Sequence, residues 1–258
     1  MEKSILRTIL FYTGMQLLFI SFFCLWRGIP LLSMILFYGA TIILHAFLYF
    51  FLIHFKVDFF NQSTGQPLEK VNAANRITLL RISSLPSIAF LLRHKEIIEI
   101  RMMLPVLLAL VFLTDSFDGQ IARRKKQCTK MGQMLDSISD YSLLAVISVV
   151  YYRNSILPRW FFYLIFCRLF LQALGMLLFI IIKKPVETRS TWGGKITVAT
   201  TMTLYIMELA RLYLPRDLPG VFLIVEYVAG AIILLLSFEK ASIFFRQGKK
   251  LRAEGKNS

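Results

Sequence analysis

Long apolar segments alternate with short polar segments along nearly the whole chain. About 20 consecutive apolar residues are enough for a helix to cross the hydrocarbon core of a bilayer. Segments that approach or exceed this length cover residues 8–26, 31–53, 77–92, 102–122, 136–152, 160–182, 196–214 and 219–238. This pattern predicts an all-α, polytopic membrane helix bundle with eight spans joined by short connections.

The longest polar interruption divides the predicted helices into two groups. It covers residues 56–76 and contains glycine and proline, which interrupt helices. Before this linker, residues 1–55 form a predicted two-helix transmembrane extension with no ionisable side chain deep in either span except His45. After it, residues 77–246 form a predicted six-helix core with every candidate catalytic group, and residues 247–258 form a basic tail.

The composition agrees with a membrane protein and argues against a nucleic-acid partner. Hydrophobic residues make up 57% of the chain and charged residues only 17%, whereas about a quarter of the residues of a soluble domain are charged. The net charge is +15. A nucleic-acid groove would interleave basic with aromatic residues, but here the basic residues lie between the apolar segments.

Lysine and arginine are distributed unevenly between alternate connections. The segments that are rich in lysine and arginine cover residues 3–7, 56–81, 123–130, 183–195 and 240–258. The positive-inside rule therefore predicts that both termini and the connection at 123–130 are cytoplasmic. We expect a multi-pass protein of the inner (cytoplasmic) membrane, with the linker 56–76 on the cytoplasmic side and membrane lipids as neighbours.

Four aspartates lie close together between segments that are apolar enough to enter a membrane. They are Asp115, Asp118, Asp136 and Asp140. A carboxylate at bilayer depth is costly unless it faces a cavity and meets a cation, so such residues indicate a functional site. Carboxylate oxygens suit Mg²⁺, Mn²⁺ or Ca²⁺. The cluster therefore predicts a divalent-metal site near the cytoplasmic membrane surface.

Helical spacing places these aspartates on two stripes. If residues 110–123 are helical, the first two aspartates share one face with Gly119 and Ala122. If residues 132–150 are helical, Gly132 shares a face with the other two. Because the connection is short, we expect antiparallel neighbouring helices whose four carboxylates converge on one cavity.

Arg123 stands at the end of the first stripe. A guanidinium is always charged and can donate two parallel hydrogen bonds to a phosphate. The small residues on the stripe leave room for a ligand to approach closely. Metal ions, an arginine and a cleft together predict a nucleotide diphosphate, with the metals stabilising the charge that develops during phosphoryl transfer.

An eight-position pattern in this stretch resembles the signature of the CDP-alcohol phosphotransferase family. The pattern is Asp115-x-x-Asp118-Gly119-x-x-Ala122-Arg123, then eight residues, then Gly132-x-x-x-Asp136-x-x-x-Asp140. The resemblance covers the six-helix core. It implies an integral membrane enzyme that joins a CDP-linked group to an alcohol, releases CMP and uses two ions, Mg²⁺ or Mn²⁺. It also implies a homodimer.

The resemblance assigns a role to each matching residue. Asp115, Asp118 and Asp136 become metal ligands. Asp140 becomes the general base that deprotonates the acceptor hydroxyl, and it also contacts a metal. The residues implied to line the CDP pocket are Asp118, Gly119, Ala122, Arg123 and Gly132.

Two further segments resemble phosphatidylglycerophosphate synthases and related bacterial members of the family. In the first, Asn75, Thr78 and Arg81 are expected to lie against the nucleotide. The second is the motif Trp192-Gly193-Gly194-Lys195. This resemblance implies CDP-diacylglycerol as the donor and glycerol 3-phosphate as the small polar alcohol. The candidates for binding the phosphate of that acceptor are Arg168, Lys195 and Arg189.

Departures from that subgroup leave other acceptors open. Ser137 and Tyr141 follow the last two aspartates where the subgroup has proline and lysine, and Thr197 replaces a second basic residue. Inositol phosphate and serine are therefore alternative acceptors. A further alternative is a CDP-choline or CDP-ethanolamine donor with diacylglycerol as the acceptor.

Alternatives of other kinds also stay open at this point. Lys195 could serve only as a positive-inside anchor, and Arg168 could pair with Glu208 or Glu226. The aspartates would also suit an intramembrane prenyltransferase, which binds a diphosphate through Mg²⁺, or a carboxylate-lined transporter.

Overall fold

The computed structural model describes residues 1–124, 127–181, 192–211, 213 and 219–254; some helical side chains, including those of 115–118, 122, 123 and 195, lie outside the description. The described residues form nine α-helices and one short 3₁₀ turn, with isolated β-bridges but no β-strand. The helices are α1 Glu2–Arg27, α2 Leu31–His54, α3 Ala73–Ser83, α4 Leu85–Arg93, α5 Ile98–Arg124, α6 Lys130–Arg153, α7 Arg159–Ile181, α8 Trp192–Ala210 and α9 Pro219–Glu254. The predicted all-α fold is confirmed.

Five helices are long and apolar enough to cross a membrane, counted over the described residues. They are α1, α2, residues 98–121 of α5, α6, and residues 220–239 of α9. Helices α7 and α8 occupy two further predicted segments. The chain is therefore a multi-pass membrane protein.

The third predicted span, 77–92, is wrong as a single helix. The structure instead has α3 with 11 residues and α4 with 9, divided at Ser84. Pro86 lies in the first turn of α4. Proline has no N–H to donate to the carbonyl of Ile82, and its ring crowds that carbonyl, so a continuous helix is interrupted here.

The chain forms two compact units, residues 1–147 and 148–258. In the first unit α1 packs along α2, the two contact α3 and α4, and α3 packs against α5. In the second unit α9 packs against both α7 and α8. The extension, linker, core and tail defined from the sequence stay a prediction.

The N-terminal extension is joined to α3 and α4 by polar contacts. The Tyr12 hydroxyl donates to the Arg76 carbonyl at 3.0 Å. In the middle of α2, the His45 ring bonds to the Thr41 carbonyl through Nδ1 at 2.7 Å and to the Ser83 hydroxyl through Nε2 at 2.6 Å. Because a carbonyl oxygen can only accept, the ring hydrogen of His45 is on Nδ1. Nε2 is then an acceptor, and the Ser83 hydroxyl donates to it. These contacts fix α3 against the extension.

Candidate active site

Helices α5 and α6 contain the eight-position pattern. The predicted helical stretches 110–123 and 132–150 lie inside them, which confirms that both stripes are helical. Asp136 and Asp140 are one turn apart on α6. The side chains of Asp115, Asp118, Ala122 and Arg123 lie outside the described residues. That the stripes of α5 and α6 face each other stays a prediction.

Arg81 joins the two aspartates of α6. Its Nη1 lies 3.4 Å from Asp140 Oδ1 and its Nη2 lies 3.5 Å from Asp136 Oδ1. The Arg81 side chain is 1% exposed, whereas the side chains of Asp140 and Asp136 are 19% and 51% exposed. A buried guanidinium needs such partners. Helix α3, which the extension holds, therefore positions a cation at this end of α6.

The sequence associated Arg81 with the nucleotide but did not predict this ion pair. One feature of α3 pointed to an ion pair. Arg81 is a cation among residues such as Thr78, Leu79 and Ile82, whose side chains are buried. A cation in such a position must meet an acid. Which acid it meets depends on the packing of α3 against α6, which sequence spacing does not report.

The N-termini of α3 and α6 meet at Asn75, Thr129 and Gly132. The Thr129 hydroxyl caps α6, accepting from the Gly132 amide at 2.9 Å. Asn75 Nδ2 donates to the same hydroxyl at 3.2 Å. A Cβ on Gly132 would lie 2.6 Å from Asn75 Oδ1. Two predicted CDP-binding residues are thus brought together, and Thr129, which the sequence analysis missed, connects them.

The linker covers the start of α6. Lys130 Nζ lies 2.8 Å from Asp58 Oδ1. The side-chain amides of Gln62 and Gln133 exchange hydrogen bonds at 3.2–3.3 Å. The backbone N–H of Gln62 donates to the Cys128 carbonyl at 2.9 Å. The N-terminus of α6 is therefore held by both α3 and the linker.

The described groups fit a divalent cation. Two carboxylates against one guanidinium leave a net charge of −1 at this end of α6 before Asp115 and Asp118 are counted. Asp136 is half-exposed and so accessible to a ligand. Carboxylate oxygens suit Mg²⁺ or Mn²⁺. Among the described residues there is no group of three or more candidate metal ligands. The side chains of Asp115 and Asp118 are not part of that set.

The predicted acceptor-binding residues belong to the second unit. Arg168 on α7 donates through Nη1 to the Ile233 carbonyl at 3.0 Å and to the Ser237 hydroxyl at 2.8 Å. Arg189 and the Lys195 side chain lie outside the described residues. The suggested partners of Arg168, Glu208 and Glu226, both pair with Arg211.

Two comparisons with known proteins bear on this site. A family model described as CDP-alcohol phosphatidyltransferase matches residues 71–237. That range contains the whole eight-position pattern as well as Arg81. The family generally uses divalent metal ions. Its enzymes are transferases, and the chain is an enzyme of this class.

Three similar proteins are named CDP-diacylglycerol–glycerol-3-phosphate 3-phosphatidyltransferase. The chain is 30% identical to that of Pectobacterium atrosepticum over 179 residues, which cover 65% of this chain and 92% of the relative. It is 25% identical to that of Aquifex aeolicus over 167 residues, 64% and 91% of the two chains. The match to that of Rickettsia bellii, 33% identical over 84 residues, covers 33% of this chain and only 46% of the relative.

The family model spans more than half of the chain, and within that span the aspartates of α6 meet a buried arginine at a polar helix junction. Sequence pattern, helical placement and family match agree on the same residues. The chain therefore belongs to the CDP-alcohol phosphatidyltransferase family.

Proposed function

We propose that this enzyme transfers the phosphatidyl group of CDP-diacylglycerol to glycerol 3-phosphate, producing phosphatidylglycerophosphate and CMP. One observation carries the proposal: the complete pattern lies on α5 and α6, and its two described aspartates converge on Arg81. The names of the relatives support the choice of donor and acceptor. Family membership argues against the prenyltransferase and the transporter.

Asp140 is the proposed general base. It takes the proton from the acceptor hydroxyl, whose oxygen attacks the phosphorus bonded to diacylglycerol. The bond from that phosphorus to the bridging oxygen breaks, and CMP leaves with the bonding electrons. Direct displacement of this kind needs the hydroxyl held in line with the leaving group and no covalent enzyme intermediate. Arg81 supports it by holding the Asp140 carboxylate in place.

Asp115, Asp118 and Asp136 would hold the divalent ions together with Asp140. Two Mg²⁺ or Mn²⁺ ions supply charge stabilisation for the diphosphate as it is cleaved. The proposed CDP contacts are Asp118, Gly119, Ala122, Arg123, Gly132, Asn75 and Thr78. The junction of Asn75 with Gly132 supports this assignment, because it brings residues from two helices to one place.

Arg168, Lys195 and Arg189 are the proposed contacts of the acceptor phosphate. The bonds from Arg168 to α9 hold its guanidinium in a defined position, which favours phosphate binding because less entropy is lost on binding. Serine has no phosphate group for these cations to bind. Because Ser137 and Tyr141 depart from the subgroup pattern, inositol phosphate and serine are the competing acceptors to test.

The proposal includes a placement in the cell membrane. The active site and both termini face the cytoplasm, residues 1–55 form an extension to the catalytic core 77–246, and the enzyme works as a homodimer. The alternating distribution of lysine and arginine supports the orientation.

The test is CMP release by the purified protein from CDP-diacylglycerol with Mg²⁺ or Mn²⁺. Glycerol 3-phosphate, inositol phosphate, serine and choline are offered separately. Of these four acceptors, we expect only glycerol 3-phosphate to cause CMP release. Release with another acceptor would overturn the substrate assignment, and product formed only from CDP-choline or CDP-ethanolamine with diacylglycerol would overturn the donor assignment.

Matched aspartate variants test the division of roles. Asp140→Asn should lower turnover by at least a hundredfold, since general-base catalysis contributes about 10²–10⁴-fold, while retaining more CDP-lipid binding than Asp115→Asn does. Turnover is measured as CMP release and binding as retention of labelled CDP-diacylglycerol. Equal loss of binding in the two variants would contradict the assignment of the base.

A further inference from the structure

An arginine-lined cavity lies in the second unit, formed by the connection between α6 and α7. Its volume is about 480 Å³, and its lining includes Arg153, Arg159 and Arg211 together with Tyr152, Ser155 and Pro158. Arg153 ends α6 and Arg159 begins α7. None of the roles proposed for the transferase reaction uses these residues.

The charges in this cavity are only partly balanced. Arg211 lies 3.3 Å from Glu226 Oε1 and 3.6 Å from Glu208 Oε2. Both carboxylates are almost completely buried behind it, with 3% and 1% of their side chains exposed. Among the described residues no carboxylate lies within ion-pair distance of Arg153 or Arg159. Counted over the described residues, three guanidinium groups against two carboxylates give this cavity a positive charge that suits an anion.

The start of α7 contributes to the same cavity. The Phe162 amide donates to the Pro158 carbonyl at 3.1 Å, so α7 begins directly at the cavity wall. The first amides of an α-helix have no acceptor within the helix, and its dipole favours negative charge at this end. Helix α7 has 23 residues. Its N-terminus and the arginines therefore favour the same kind of ligand.

Aromatic side chains mark this end of the unit as a membrane interface. Tyr152 stacks on Phe162, with ring centroids 4.4 Å apart, and Trp160 stacks on Tyr227 at 5.2 Å. Tryptophan and tyrosine collect at the level of lipid headgroups. From Phe166 onwards, exposed apolar side chains continue along α7. A ligand in the cavity would therefore have its charged part at headgroup level and an apolar surface beside it.

We propose that this cavity binds the phosphate group of an anionic phospholipid taken from the surrounding membrane. Arg153 and Arg159 contact the phosphate as charged donors. Arg211 completes the site from the end of α8, held in place by Glu208 and Glu226. The acyl chains lie along the apolar surface of α7. This site is separate from the proposed transferase chemistry and needs neither CDP nor a metal.

Quenching of tryptophan fluorescence by brominated lipids tests the site. Trp160, next to Arg159, is the reporter in a full-length protein with Trp26→Phe and Trp192→Phe. The protein is reconstituted in phosphatidylcholine bilayers, and phosphatidylglycerol or phosphatidylcholine with brominated chains is added. We expect preferential quenching by phosphatidylglycerol. Arg153→Gln with Arg159→Gln should reduce that preference by about fivefold for each arginine, since one basic residue near a lipid surface contributes about 1 kcal/mol.

The matched control is Arg93→Gln, which removes another exposed arginine at a helix end and should leave the preference unchanged. Circular dichroism and thermal unfolding check that the variants are folded, which we expect because Arg153 and Arg159 are exposed. Equal quenching by the two lipids, or a preference that survives the double variant, would overturn the proposal. Loss of the preference in the presence of millimolar inorganic phosphate would identify a soluble phosphate as the ligand and overturn the lipid assignment.

Discussion

At the scale of single residues, Arg81 balances part of the charge in the described part of the candidate active site. Arg81→Met removes the cation shared by Asp136 and Asp140 and should lower the free energy of unfolding by about 1–3 kcal/mol. The loss stays below the 3–5 kcal/mol of a fully buried pair, because Asp136 is half-exposed. CMP release should also fall. Thermal unfolding in detergent and the CMP assay measure the two effects.

Arg76→Met is the control for this prediction. Arg76 lies on the same helix and is exposed, and its bond to Tyr12 is made by the backbone carbonyl, which the substitution keeps. Its replacement should leave stability and CMP release nearly unchanged. If the two variants lowered stability and CMP release equally, the losses would come from replacing any arginine of α3 and not from breaking the ion pair.

Gly132 is the second residue whose replacement gives a clear expectation. Alanine is normally better than glycine inside a helix by about 1 kcal/mol. At Gly132 a Cβ would meet Asn75 Oδ1 at 2.6 Å and Thr129 Oγ1 at 2.9 Å. Asn75 is buried and bonded to Thr129, so it cannot move without breaking that bond, and overpacking costs about 1–3 kcal/mol. Gly132→Ala should therefore destabilise the protein and reduce CMP release.

Gly39→Ala on α2 is the matched substitution, because a Cβ there meets nothing within 4 Å. It should stabilise the protein slightly. Unfolding temperatures of the two variants are compared in the same detergent. A Gly132→Ala protein as stable as the Gly39→Ala protein would show that the junction of α3 and α6 can expand without cost.

At the scale of elements, α1 and α2 act as supports for α3. His45→Ala removes the bond between α2 and Ser83, and one net hydrogen bond contributes about 1 kcal/mol. The cavity left by the ring adds to that loss. We expect lower stability and a raised KM for CDP-diacylglycerol, since α3 carries Arg81, Asn75 and Thr78. Thermal unfolding and steady-state CMP release check these outcomes.

His54→Ala at the exposed end of α2 is the control and should change neither quantity. A double-mutant cycle with Ser83→Ala isolates the contribution of the bond itself. Additive effects of His45→Ala and Ser83→Ala would contradict direct coupling. The sequence analysis noted His45 only as an ionisable residue deep in a span; its partner lies on a helix that is 38 residues further along the chain.

At the scale of the whole molecule, the predicted orientation can be tested through the free cysteines. Cys128 is partly exposed in the connection between α5 and α6, Cys24 is buried, and Cys167 is exposed on α7, which occupies a predicted membrane segment. A membrane-impermeant maleimide should label Cys128 in inside-out vesicles and not in spheroplasts, because we place this connection in the cytoplasm. Mass spectrometry locates the label, and Cys128→Ser should lose it. Labelling of Cys128 from the outer side would contradict the proposed topology.

The sequence by itself determined the helical membrane fold, the family and the positions of the aspartates on α5 and α6. Such properties follow from the order of neighbouring residues. The length of an apolar segment decides whether a helix can span the membrane, and the 3.6-residue period decides which residues share a helix face. The break at Ser84 also has a local cause, Pro86, but the continuous apolar segment 77–92 led us to predict one helix.

Only the tertiary structure decided which residues meet across helices. It brought Arg81 to Asp136 and Asp140, Asn75 to Gly132, His45 to Ser83, and the three arginines to one cavity. These contacts join residues that lie far apart in the chain. They depend on the rotation and depth at which helices pack, and those follow from the combined fit of many side chains and not from any local spacing.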